Sequence, residues 1–366
     1  MKTILSNCEV TLIAEKGSDL KVVNAARVSF SKHSSELNEK DHRLISYLAR
    51  HKHWTTFSHC REIFQFNIVE YILRMSQTDL AGMVWAQVDN KIYAKTSIYG
   101  WCNIVNKFYF TNKSDTYLCR ILSLIKEMYP VSFSSLISKD IIDDFASWCK
   151  DPALFSVKID DKILTELNKN PDFIDFTFKI KAPIFVARQD FKHMVGRTFN
   201  EVSRRYVTDN VELFLPTIWR YKPKSVKQGS SESSVDWSKI ALEKGVKEDC
   251  LENSMLNNLD LYNRLVSDKD KNSEQLDESL VVCGEQARML LPQSMMTEYW
   301  VTGNLSSFMR MIYQRSDVDH AQREIVALAT QIATQIVDHM ESTFDIEVLN
   351  SYKVNENYLS VTQLAQ

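Results

Sequence analysis

The sequence predicts an α+β fold: a central, mostly antiparallel sheet packed against long helices. Three observations point there. Phe176, Phe178 and Ile180 alternate ahead of Pro183, the period of a half-buried strand. Ile325, Leu328, Ile332, Ile336 and Met340 recur at helical spacing, the longest convincing apolar stripe in the chain. Glycine is scarce, eight in 366 residues with no GxG pair. That removes the glycine-rich phosphate loops of Rossmann and P-loop folds, so any nucleotide must be held by side chains and element termini.

The elements read in order as follows. In "DHRLISYLAR" (41–50), Leu44, Ile45 and Leu48 share a helical face. The turn "HKHWTTFSH" (51–59) follows, and then "REIFQFNI" (61–68), which alternates like a strand. Residues 70–175 mix helical pattern (116–129) with a strand-like "NKFYF" (106–110). After Pro183, Ile184, Ala187, Phe191 and Val195 fall at helical spacing. Gln189, Lys192 and His193 project from another face of that helix, and Gly196 is its expected terminator. The polar stretch 222–280 reads as a variable, partly mobile surface region with one or two helices. From Leu280 onward the signal is strongly helical.

The chain carries a net charge of −3 and 44% hydrophobic residues, enough for a substantial core. Its apolar runs, such as "APIFVA" (182–187), are too short to span a bilayer. Its N-terminus lacks a signal-peptide pattern, so a soluble, cytoplasmic protein is expected. Seven cysteines without a CxxC pair suit reduced, mostly buried thiols rather than a disulfide scaffold or zinc ribbon; no metal site is expected.

Segment 185–227 holds nine Lys or Arg against four acidic residues, an excess of five positive charges. A solvated face explains that count by itself. The spacing in "RTFNEVSRRYV" (197–207) adds more. If 201–205 is extended, Glu201, Ser203 and Arg205 point one way: an acceptor, a hydroxyl and a forked cation. Such a set fits a nucleoside monophosphate better than a nucleic-acid backbone.

At these residues the sequence resembles the flavin-dependent thymidylate synthases. Their signature is Arg-His-Arg, a short spacer, then Ser-x-Asn-Glu-x-Ser-x-Arg-Tyr. "NEVSRRY" (200–206) matches its second half, and "QDFKHM" (189–194) resembles its start, with Lys192 and Met194 in place of the two arginines. Thr198 stands for the first serine, and the spacer is one residue longer. "NAARVSF" (24–30) resembles the family's N-terminal strand motif. "HKHWTTFSH" resembles its histidine turn, with Thr56 at the usual proline. "ARMLLP" (287–292), "TGNLSSFMRMIYQR" (302–315) and "HAQREI" (320–325) follow near the C-terminus.

The resemblance implies a discontinuous catalytic domain (1–69 and 175–350) interrupted by an inserted subdomain (70–174). It leaves 222–280 as a variable region and 351–366 as a tail. It implies reductive methylation of dUMP to dTMP, with methylenetetrahydrofolate as carbon donor, a flavin (FAD) reduced by NADPH, and no cysteine nucleophile. Gln189, Lys192, Glu201, Ser203, Arg204, Arg205, Arg288 and Arg315 would bind dUMP. Arg205 and Ser203 would serve the phosphate, and Arg315 would be catalytic, lying against the pyrimidine. Ser29, His53, Thr55, Lys192, His193, Met194, Glu201, Asn304, Ser306, Arg310 and Arg315 would line the FAD site. A bland alternative makes His53 a packed core histidine and Thr55 a turn cap. A homotetramer with shared active sites is implied, with no membrane or nucleic-acid partner. Met194 removes a guanidinium, and Arg310 replaces a usual asparagine. Those departures keep 5-hydroxymethyl-dUMP formation open, and a non-catalytic nucleotide- or nucleic-acid-binding role is the alternative of another class.

Overall fold

The computed structural model describes residues 4–67, 82–108, 116–148, 159–222, 233–316 and 321–352. His320, Lys224, Lys227, Cys149 and the tail beyond Tyr352 lie outside them. The described residues form strands β1 (Ile4–Leu5), β2 (Glu9–Leu12), β3 (Arg61–Asn67), β4 (Val84–Val88), β5 (Lys91–Ser97), β6 (Asp175–Pro183), β7 (Arg197–Glu201), β8 (Leu213–Phe214) and β9 (Met296–Asn304). The α+β expectation holds. The central sheet runs β2-β6-β9-β7 with every pair antiparallel.

Alternation in β6 sorts its two faces. Phe176, Phe178 and Ile180 pack with Tyr299 and Val301 of β9 under the long Arg323–Thr343 helix. On that helix Ile325, Leu328, Ile332, Ile336 and Met340 are all fully buried, as the stripe predicts. Each such side chain contributes about 1.5–3 kcal/mol of transfer free energy. Gln331 and Gln335 of the same helix donate to the Cys8 and Val10 carbonyls at 3.1 and 2.7 Å. Edge strand β2 is thereby covered rather than left as an open ladder. On the opposite face Trp300 packs on Ala25 and Val28, and Thr177 and Thr302 meet buried His59.

A second sheet, β3-β5-β4, joins sequence before and within the 70–174 segment. The Ile98–Phe108, Thr116–Met128 and Pro130–Leu136 helices pack with the Asp19–Arg27 and Glu39–Arg50 helices in one core around Trp101 and Ile45. Asp19, itself buried, accepts from the Val131 and Ser132 amides at 2.7 and 3.0 Å and so caps the Pro130 helix.

Several local expectations are corrected. "NAARVSF" is not a strand: Asp19–Arg27 is a helix capped by Ser18, followed by a 3-10 turn through Phe30. Residues 106–108 of "NKFYF" end a helix, and 109–110 lie outside the described residues. The helix after Pro183 stops at Asp190 and does not reach Val195, which is exposed. Asp190 is drawn instead into a buried pair with Arg197, and Gly196 turns the chain at φ +77°. The helical reading from Leu280 missed β9, whose Met296–Asn304 run is buried on both faces and so shows no alternation. The described residues of the 222–280 region include the α-helices Trp237–Lys244 and Asp249–Val266.

Candidate active site

The basic segment separates into spent and available cations. Arg197 and Asp190 are both fully buried, with Nη1 2.8 Å from Oδ1. Tyr299 donates its hydroxyl to Asp190 at 2.8 Å. Arg197 also sits between the Phe199 and Phe308 rings. It is part of the core, not a ligand cation. Arg220 pairs with Glu324. Arg204 donates to the Asp209 carbonyl at 2.9 Å and the Val207 carbonyl at 3.4 Å, so its guanidinium ties down its own turn. Among the described residues, Arg188, Lys192, Arg205, Arg288, Arg310 and Arg315 form no salt bridge.

Strand β7 ends at Glu201, so 201–205 is not extended throughout. A turn closes at once, with the Tyr206 and Val207 amides donating to the Ser203 carbonyl at 3.0 Å. The turn still delivers the predicted triad to one place. Ser29 Oγ donates to the Glu201 carbonyl at 3.0 Å, and the Ser203 amide donates to the Ser29 carbonyl at 3.0 Å. These two bonds pin the turn to the Val28–Phe30 segment. Gly284 lets the Arg288-bearing segment approach: a Cβ there would lie 2.8 Å from Thr208 Cγ2 and 3.1 Å from the Arg204 carbonyl.

The result is a cleft of about 800 Å³ lined by Ser29, Glu201, Ser203, Arg204, Arg205 and Arg288. Arg188, Phe191 and Thr297 also line it. Thr297 donates to Glu201 Oε1 at 2.7 Å. Glu201 is accessible at the surface, yet the cleft walls crowd its carboxylate. That desolvation raises its pKa, against the lowering effect of Thr297, Arg188 and Arg288. Arg205 stacks on Tyr206 at 5.1 Å and holds Nε 3.4 Å from Ser203 Oγ. Arg188 and Thr297 were not singled out from sequence. Thr297 sits on the unrecognised β9, whereas Arg188, one position before Gln189, was counted only as charge.

The remaining predicted residues lie outside that cleft, the largest set of them around His193 and Arg315. Arg315 Nε donates to His193 Nε2 at 3.1 Å, so His193 accepts as a neutral imidazole. Burial lowers the His193 pKa, helped by the charges of Arg315 and Arg197. Arg310 reaches the Val195 carbonyl at 3.5 Å, beside exposed Met194 and exposed Lys192. Gln189 donates to Gln322 at 2.7 Å. Asn304 is buried and caps the Leu305–Arg315 helix through the Ser307 amide at 3.0 Å, with Ser306 in its first turn. His53 and Thr55 are exposed on the 51–59 turn, so His53 is not a packed core histidine. None of these residues lines the cleft around Arg205 within one chain.

Among the described residues, no cysteine lines that cleft. Cys60 is buried, and burial pushes its thiol up to about 11. Among the described residues, no helix is long and apolar enough to cross a membrane.

The family described as thymidylate synthase complementing protein matches residues 11–74 and 170–341, more than half of the chain. A flavin-dependent thymidylate synthase from Aquifex aeolicus is 28% identical over 330 residues, covering 87% of this chain and 94% of that protein. One from Thermosipho africanus is 34% identical over 182 residues, covering 50% of this chain and 72% of that protein. Among solved structures, the UMP/dUMP methylase PolB from Streptomyces cacaoi bound with 5-Br UMP gives a TM-score of 0.42 at 16% identity, covering 97% and 98% of the two chains. The chain belongs to the thymidylate synthase complementing protein family, whose curated members that it matches are flavin-dependent thymidylate synthases.

Proposed function

We propose that the protein methylates dUMP at C5 to give dTMP, taking the carbon from methylenetetrahydrofolate and reducing equivalents from NADPH through FAD. The observation that carries the reading is the cleft in which Arg205, Arg188 and Arg288 converge without a carboxylate partner among the described residues, while Glu201 remains accessible. Guanidinium groups without an ion-pair partner, around a hydroxyl, suit a phosphate dianion. Glu201, held at one oxygen by Thr297, supplies the acceptor that a sugar or base edge requires.

The set around His193 and Arg315 fits a flavin. Met194 and Val195 offer an exposed apolar step, flanked by Arg310, Lys192 and the His193–Arg315 pair. An apolar surface rimmed by cations suits a planar ring system joined to phosphates. When bound, the flavin supplies the hydride chemistry that no side chain offers. The chain's own part is electrostatic. His193 fixes the direction of Arg315, and an uncompensated guanidinium stabilises negative charge developing on the uracil ring. That route needs no thiol addition to the ring.

Arg315 and Arg205 do not share a lining within one chain, which supports complete sites formed between chains of a homotetramer. The test uses dUMP tritiated at C5, because methylation there must release that hydrogen. Release is expected only when FAD, NADPH and methylenetetrahydrofolate are all present. Release without FAD, or none with the full set, overturns the reading.

A further inference from the structure

The geometry points to Lys95 as a positioning residue: by sharing Asp175 with Arg61, it leaves one arm of the Arg61 guanidinium to hold the Gly196 carbonyl. The inference rests on the reading of the 193–196 loop as part of the flavin site. Lys95 belongs to β5, outside the residues the family matches.

Lys95 is 2% exposed, and its Nζ lies 2.9 Å from Asp175 Oδ1. Arg61 Nη1 is 3.3 Å from the same oxygen, while Arg61 Nη2 is 2.9 Å from the Gly196 carbonyl. Two cations thus divide one carboxylate and one carbonyl between them. Arg310 holds the preceding carbonyl, that of Val195. Gly196 is packed against the start of the next helix: a Cβ would lie 3.0 Å from Asn304 Oδ1 and 3.2 Å from Ser307 Cβ. Asn304 in turn donates to Asp172 at 2.9 Å, and its partner across the sheet is Asp175. The loop, the helix start and the second sheet therefore meet at this ion cluster.

Lys95 and Arg61 compete for Asp175: Lys95 satisfies the carboxylate that would otherwise claim both arms of Arg61. A carboxylate left with a single guanidinium takes it in a two-point fork, the stronger arrangement. With Lys95 present, Asp175 is already neutralised and Arg61 can spread to Gly196. Without the Lys95 charge, Asp175 draws both arms of Arg61, and the Gly196 carbonyl loses its donor. The second sheet thereby acts on the flavin-facing loop through a residue that touches neither substrate nor cofactor.

Lys95→Met and the double variant Lys95→Met/Asp175→Asn test this in the full-length chain. Lys95→Met should speed hydrogen exchange at the 195–197 amides in flavin-free protein. It should also raise the FAD dissociation constant by roughly tenfold, with dUMP affinity unchanged. The double variant should restore both towards the parent values, because Arg61 then has no carboxylate to favour over Gly196. A purely structural role predicts the opposite, a double variant no better than the single. Unchanged exchange in Lys95→Met, or 195–197 unprotected in the double, overturns the inference. If the single variant does not fold, the double, which removes the ion pair whole, decides alone. Failure of the parent chain to bind FAD would instead refute the flavin-site reading, while exchange still reports on Lys95.

Discussion

Replacing Arg205 by alanine isolates the phosphate contact. Arg205 is exposed, forms no salt bridge among the described residues, and is oriented by Ser203 Oγ and the Tyr206 ring. Its removal should leave stability within about 0.5 kcal/mol of the parent, as for other uncommitted surface positions. Binding should respond differently. A charge-assisted hydrogen bond to phosphate is worth about 1.5–3 kcal/mol net, or roughly 10- to 150-fold in affinity. Arg205→Lys keeps the charge but loses the fork and should recover only part. Isothermal titration at fixed ionic strength, with dUMP and with deoxyuridine, separates the phosphate from the rest of the ligand. The loss should appear with dUMP and vanish with deoxyuridine. Equal losses for both, or none for dUMP, would refute the assignment.

Asp190→Ala should destabilise the chain by about 3–5 kcal/mol in urea unfolding, because it strands the buried charge of Arg197; a change under 1 kcal/mol would show that pair to be dispensable. His59 is buried, and desolvation, helped by Lys21 and Arg61, lowers its pKa from 6.5 to about 3. The unfolded chain therefore binds the extra proton first. Stability held above pH 6.5 should be lost as pH falls towards 3, on the order of 4 kcal/mol at the acid end, and His59→Gln should flatten that part of the urea–pH profile. Arg315→Ala should keep FAD bound yet abolish turnover; full activity would remove Arg315 from the chemistry.

Much of the fold was legible wherever one face of an element is wet. The Ile325–Met340 stripe and the Phe176–Ile180 alternation both follow that rule. β9 does not, because sheet neighbours and packed layers bury both its faces, and Thr297 went unnoticed with it. The sequence brings Glu201, Ser203 and Arg205 together by extended alternation, and the structure brings them together by a turn. The backbone turns after Glu201 instead of continuing extended, yet the Ser29 bonds return all three side chains to one cleft. A charge count could not distinguish Arg197 from Arg205, since only the folded chain places Asp190 and Tyr299 around the former. The place of Lys95 was equally hidden, because its carboxylate partner lies eighty residues away across two sheets.

The most direct measurement is the mass of the nucleotide recovered after incubating flavin-loaded protein with dUMP, methylenetetrahydrofolate and NADPH. The account predicts dTMP, heavier than dUMP by one methylene. A product one oxygen heavier than dTMP would replace methylation by hydroxymethylation, and recovery of unchanged dUMP would contradict the account altogether.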